Sequence, residues 1–121
     1  MNTELPQSEC FALLADRHRR LAVRTLAERG GSLSPRALAE RVADHVYGHA
    51  TDEHRQRIHV AFHHNHLPRL EDHDVVSYDP DDGTVTRGSN FETLAHYLEW
   101  GNAMGRPRAT RDASTLSSRI D

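Results

Sequence analysis

The run Asp79-Pro80-Asp81-Asp82-Gly83 lies between two short β-prone stretches, Val75–Tyr78 and Thr84–Arg87. Pro, Asp and Gly are turn formers, and flanks rich in Val, Thr and Tyr on both sides make a hairpin. Two strands cannot bury a core by themselves. The remaining apolar residues recur at helical rather than alternating spacing, so the core must come from helices. The fold class that follows is mainly α with one small β-hairpin.

Helix boundaries can be read along the rest of the chain. Phe11, Leu14, Leu21, Ala22 and Leu26 fall at helical spacing between Leu5 and Arg29. Asp16 interrupts that run and is placed to cap a second helix, Ser8 to cap the first, and Gly30-Gly31 to end the second. Ser34-Pro35 combines an N-cap with Pro at the first helical position, and Leu38 and Val42 then face one way until Gly48. Thr51-Asp52-Glu53 opens another helix, its acids favourable to the positive helix end. The inner stripe of that helix reads Ile58, Phe62, His66, Leu70, four residues apart each time. Pro68 removes a hydrogen bond and clashes with the preceding turn, so the helix should kink or end near His66, with Pro68 starting a new turn. The His66 ring would then bond a freed carbonyl. Ser89 to Glu92 has capping-box spacing and opens a last helix through Met104. Four helices, a hairpin and a helix, in that order, predict a winged helix-turn-helix with an additional C-terminal helix. One domain over residues 1–104 is expected, its last helix (about 90–104) serving dimerisation, and a disordered tail over 105–121, where Pro, Arg, Ser and Thr dominate.

Composition closes off several function classes. The chain has 121 residues, the size of one domain. It is 36% hydrophobic and 27% charged, with a mean hydropathy of −0.74. No run approaches the length of a membrane span, and no signal pattern opens the chain, so a soluble cytoplasmic protein with no membrane partner is expected. Cys10 is the single cysteine, which excludes disulfide scaffolds and Cys-based zinc modules. A pI of 6.3 argues against proteins that coat nucleic acid. All 15 basic residues are Arg. Arg is weakly hydrated and keeps its bidentate fork in strong salt, and a GC-rich genome would produce the same excess. Residues 17–29 carry a net charge of +4, residues 71–90 of −5, and residues 105–121 of +2. A nucleic acid would meet the first and third and be repelled by the second.

The segments Leu14-Ala15-Asp16-Arg17-His18-Arg19-Arg20-Leu21 and His66-Leu67-Pro68-Arg69-Leu70, the latter followed by Asp74-Val75-Val76-Ser77-Tyr78-Asp79, carry a family likeness. The chain resembles, over roughly Phe11 to Arg87, the winged-helix domains of unknown function common in halophilic archaea. More distantly, His66-Leu67, Leu70 and Val75-Val76 resemble the recognition-helix end of arsenic-repressor-type regulators, which are dimeric DNA-binding proteins. The resemblance implies double-stranded DNA as partner without naming a target, and it is a fold-level analogy.

The helix from Thr51 is then the candidate recognition helix. With Ile58, Phe62 and His66 inward, Arg57, Ala61 and His64 fall opposite, flanked by Gln56 and Asn65, with Arg55 on the same helix. Arg reads guanine, Asn or Gln reads adenine, and Ala accepts a thymine methyl. Arg17, Arg19 and Arg20 are candidates for phosphate contacts, which add affinity without sequence information. Each of these groups has a plainer reading as a solvated or ion-paired helix face. Tyr97, Trp100, Gly101 and Met104 form a second apolar stripe on the last helix and are the candidate homodimer interface. His45 with His49, and His59 with His63, have the i, i+4 spacing of shared metal ligands. High His usage throughout, ten in all, explains them more simply, so no metal and no cofactor is expected. No nucleophile elbow or phosphate loop is present and Cys10 lies in an apolar segment, so an enzyme is not expected. The leading expectation is a DNA-binding transcriptional regulator acting as a homodimer. A protein-interaction module on the same fold is the alternative, and a metal-responsive repressor comes third.

Overall fold

The computed structural model describes residues 4–29 and 31–105, with side chains as far as Glu99. Six α-helices and one hairpin follow in order: α1 (Gln7–Leu13), α2 (Arg17–Arg29), α3 (Pro35–Tyr47), α4 (Asp52–Ala61), a π turn (Phe62–His66), α5 (Leu67–Asp72), β1 (Val76–Asp79), β2 (Thr84–Arg87) and α6 (Phe91–Gly105). The architecture is mainly α with a two-stranded antiparallel wing and a C-terminal helix, the winged-helix arrangement expected from the sequence. Helix α6 runs one residue past the expected end at 104, so Gly105, placed in the tail by the sequence reading, is helical; the rest of that expected tail, 106–121, lies outside the described residues.

Local chemistry explains most boundaries. Asp16 Oδ1 accepts the backbone N–H of His18 at 2.8 Å and of Arg19 at 3.4 Å, capping α2 as its position suggests. Ser34 caps α3 through the N–H of Ala37 at 3.0 Å, and Gly48 takes φ 74° at its end. Thr51 and His54 form a reciprocal capping box at the start of α4. Two expected caps are corrected. Helix α1 already begins at Gln7, just after Pro6, so Ser8 lies inside it and has no end to cap. Helix α6 begins at Phe91, which puts Asn90 rather than Ser89 at its boundary.

The core forms where helical stripes meet. Val23, Leu26, Leu38, Val42, Ile58, Phe62 and Leu70 are buried, and Phe91, Leu94 and Leu98 of α6 close the core from the other side. The first helix is rotated from the expected stripe. Cys10 and Leu13 are buried, whereas Phe11 is 46% exposed. Burial raises the Cys10 thiol pKa, with Glu9 adding to it, so this Cys is an inert core residue.

Pro68 bends α4 into α5 in a definite way. It has no N–H to offer the His64 carbonyl, and its ring would clash with that carbonyl in a regular α-helix. The backbone widens by one residue over Phe62–His66, and the N–H of Leu67 reaches back to the carbonyl of Phe62. Pro68 then sits in the first turn of α5.

The wing is anchored at its base and along one edge. Its register pairs Val76 with Arg87 and Asp79 with Thr84. Leu33, between α2 and α3, exchanges two backbone hydrogen bonds with Val85, at 3.1 and 2.7 Å. At the base, the N–H of Gly88 bonds the carbonyl of Val75 at 2.8 Å, and the N–H of Asn90 that of Asp74 at 2.8 Å. The crossing is so close that a Cβ on Gly88 would lie 2.3 Å from the Asp74 carbonyl oxygen. Arg87 then ties the wing to the end of α2, donating to the carbonyls of Leu26 at 3.0 Å and Ala27 at 2.9 Å, with its guanidinium 5.0 Å from the Phe91 ring centre.

Candidate nucleic-acid interface

The α3–turn–α4 unit is held by polar contacts at its corner. Tyr47, at the end of α3, stacks on His54 with ring centres 3.8 Å apart and planes 7° apart. Arg55 is half-buried and bridges the helices, 3.4 Å from Asp44 on α3 and 3.6 Å from Asp52 on α4. It therefore joins the two helices while its side chain stays 35% exposed.

The outward face of α4 carries Gln56, Arg57 and Val60, and the π turn continues it with His63, His64 and Asn65, all exposed. Arg57 has a side chain 65% exposed and meets Glu53 at 3.6 Å, a surface pair of the kind worth little. Asn65 accepts from Nε of Arg69 at 3.1 Å. Ala61 is half-buried, so its expected place opposite the core is corrected. The exposed apolar group is Val60, at 44%, a residue the sequence reading missed. Its signal was present: Val60 lies one turn from Gln56 and Arg57 and off the Ile58–Phe62 stripe. Arg36, exposed in the first turn of α3, was missed too. Burial first, and then the charge of Arg36, lowers the pKa of His59.

The Arg-rich start of α2 separates into three different roles. Arg17 is exposed. Arg20 is half-buried and donates from Nη1 to the Leu14 carbonyl at 2.8 Å. Arg19 is only 8% exposed. Its Nε donates to Leu13 O at 2.7 Å, Nη2 to Ala12 O at 3.2 Å and Nη1 to His66 Nδ1 at 3.2 Å. Its proposed phosphate contact is corrected, because the guanidinium is spent on the C-terminal carbonyls of α1 and on a buried imidazole. His66, expected to bond a freed carbonyl of its own helix, instead meets this Arg.

The wing tip is an acidic turn folded around one carboxylate. Asp79 Oδ1 accepts the N–H of Asp81 at 2.9 Å and of Asp82 at 3.4 Å, while all three acids stay exposed. A cavity of about 210 Å³, lined by Pro35, His63, Leu67, Pro68, Glu71 and Tyr78, lies between the wing and the π turn that follows α4.

The family model described as Domain of unknown function (DUF7344) matches residues 11–86, from the exposed Phe11 to the middle of β2. The chain belongs to the DUF7344 family. No curated protein and no solved structure matches it.

The matched span of this DUF7344 domain contains every helix-turn-helix residue described above and both metal pairs raised by the sequence. His49 follows Gly48, whose positive φ ends α3, so it does not share a helix face with His45. His45 Nδ1 lies 3.0 Å from the Arg41 carbonyl. Among the described residues, neither this pair nor His59 with His63 acquires a third ligand; the group with ligand atoms close together is Asp16, His18 and His66. Within that group the tautomer of His66 is set by Arg19. An Arg can only donate, so the 3.2 Å contact from Arg19 requires His66 Nδ1 to accept. The proton of neutral His66 then sits on Nε2, the atom facing Asp16 at 3.8 Å, where a metal would need a lone pair. Burial foremost, together with the Arg19 and Arg69 cations and the neighbouring His18 ring, pushes the His66 pKa below its ordinary value against the pull of Asp16. Burial alone would raise the Asp16 carboxyl, but its hydrogen bonds from the His18 and Arg19 amides and the nearby positive groups lower it.

Proposed function

We propose that this DUF7344 domain is a winged helix-turn-helix transcriptional regulator that binds double-stranded DNA as a homodimer in the cytoplasm, without catalytic activity. The observation that carries the reading is the outward face of α4. Gln56, Arg57, Val60 and His64 stand exposed on a helix whose opposite side is buried and whose start is capped. Arg and Gln supply donors for base edges, and Val supplies an apolar contact for a thymine methyl. Arg17 and Arg36, exposed cations in the first turns of the two helices before α4 in sequence, are the candidate phosphate contacts. A lysine-free surface suits a high-salt cytoplasm, where the acidic wing is screened within about 3 Å at 1 M salt.

Dimerisation is assigned to the last helix. Tyr97 is half-buried against the domain's own core and meets Phe11 edge-on, with ring centres 5.8 Å apart. Helix α1 thus extends the apolar face that Tyr97 begins. The side chains of Trp100 and Met104, and the surroundings of Gly101, lie outside the described residues. The dimer is tested by sedimentation in molar KCl, where the double variant Trp100→Ala, Met104→Ala should dissociate and the parent should not.

The DNA reading is tested by titrating the protein into mixed genomic DNA at low and molar salt and sequencing what is retained. Selective retention is expected; binding without preference at every salt would overturn it. The acidic wing tip and the ion-paired Arg55 and Arg57 favour a second reading, a protein-interaction module on this fold. It would show as absent DNA retention with the dimer intact.

A further inference from the structure

We infer that the Arg19–His66–Asp16 chain is an acid-released latch, in which neutral His66 fastens the π turn at the end of the recognition helix to the α1–α2 corner and protonated His66 lets it go. The geometry is on both sides of the ring. On one side Arg19 Nη1 donates to His66 Nδ1 at 3.2 Å while the same guanidinium grips the carbonyls of Leu13 and Ala12. On the other side Nε2 faces Asp16 Oδ1 at 3.8 Å. The ring itself is 4% exposed and edged by Phe62 and His18, with ring centres at 5.3 and 5.6 Å.

A proton added at Nδ1 would point at Arg19, which has only N–H groups to answer with. One acceptor is lost and two cations are left in contact inside the protein. The charged groups that act on His66 come from three elements. Asp16, before α2, favours the protonated ring, whereas His18 and Arg19 on α2 and Arg69 on α5 oppose it. Asp16 is already committed to the N–H groups of His18 and Arg19, so it offsets the new cation only in part. The bent backbone makes the consequence local. The π turn relies on a wide Leu67-to-Phe62 hydrogen bond, and the His66 ring supplies a side-chain hydrogen bond from that turn to α2 beside the apolar anchor of Phe62.

The sign of the pH dependence follows from the lowered His66 pKa. As pH falls through about 6.5, the unfolded chain takes up a proton that folded His66 refuses. Stability is therefore full above that pH and is lost downward from it, until folded His66 also titrates and the latch opens.

The inference does not depend on DNA binding. Imidazole nitrogen NMR of the full chain at pH 7.5 should show His66 with Nε2 protonated and Nδ1 bare. Hydrogen exchange at residues 62–67 should accelerate on acidification to pH 5 ahead of that in α3. His66→Asn, which keeps an acceptor where Nδ1 stood and cannot titrate, should lose the part of the stability-versus-pH slope that lies below pH 6.5. A His66 that is cationic or Nδ1-protonated at pH 7.5 would overturn the latch, a reading that needs no variant to fold. So would an unchanged slope in His66→Asn, or zinc displacing the Nε2 proton of the parent.

Discussion

The arginines of this domain work in opposite ways at its rear corner and on its front face. At the rear, Arg19 and Arg20 at the start of α2 and Arg87 at its end all reach backbone carbonyls, Arg87 also meeting Glu92 at 3.3 Å. On the front, Arg55 and Arg57 meet exposed or half-exposed carboxylates at 3.4 to 3.6 Å. Carbonyls at a helix C-terminus are fixed in place and lack a partner within their own helix, so a guanidinium that reaches them is difficult to replace. A carboxylate on a long surface side chain is hydrated and mobile, and exchanging its partner for another anion or a base edge costs little. A dense run of Arg therefore does not map a phosphate-binding surface until the reach of each guanidinium to a helix end is known.

The contrast can be broken most severely at Gly88. A Cβ there would collide with backbone, the carbonyl of Asp74, and Asp74 itself is held at φ 59°. Gly88→Ala should destabilise by about 3 kcal/mol or more in urea unfolding, since neither crossing strand has a flexible side chain that could give way. A loss below about 1 kcal/mol would show that the wing base moves freely and that the rear corner is not rigid.

Next in size is Arg19. Arg19→Leu removes three hydrogen bonds and leaves the Leu13 and Ala12 carbonyls and His66 without their donor, at an expected cost of about 2–3 kcal/mol by thermal or urea unfolding. Arg19→Lys should rescue little, because an ammonium cannot span the three acceptors of a planar fork. If Arg19→Leu leaves stability unchanged yet weakens DNA retention, Arg19 belongs with the front face after all.

Arg87→Ala comes third, at about 1–2 kcal/mol, for the loss of two bonds to the end of α2, the exposed pair with Glu92 and the contact over Phe91. Its side chain is about one-third exposed, so water can replace part of what is lost. Proteolysis in the wing should become faster in the same variant.

How much of this was legible in the sequence depended on the range of the interaction. Caps act over three residues, so Ser34, Thr51 and Asp16 could be read directly, and the stripe Ile58, Phe62, His66, Leu70 proved buried throughout. Even the effect of Pro68 could be foreseen, because its cause lies four residues away. What could not be read was any pairing between distant segments. Arg19 and His66 are 47 positions apart, and in sequence Arg19 is indistinguishable from its exposed neighbour Arg17. The rotation of α1, which exposes Phe11 and buries Cys10, was hidden for the same reason, since it depends on where α6 lies. On α4 the choice between Val60 and Ala61 as the outward apolar residue needed the true azimuth of the helix, which a wheel anchored on a helix with a π turn cannot supply.

The smallest stability effect belongs to Arg57, and it sharpens the comparison most. Its pair with Glu53 is long, at 3.6 Å, and both side chains are largely exposed. Arg57→Ala should therefore change unfolding stability by no more than about 0.5 kcal/mol. If Arg57 reads a guanine, the same substitution should weaken specific DNA binding by about 1–3 kcal/mol and relax preference at one base pair. Binding to unrelated DNA should fall far less, because that affinity comes from phosphate contacts such as those assigned to Arg17 and Arg36. Fluorescence anisotropy on selected and scrambled duplexes, at two salt concentrations, separates the two losses. Equal weakening on both duplexes would make Arg57 a phosphate contact, and no weakening on either would make it one more solvated charge, leaving the front face of α4 without its reader.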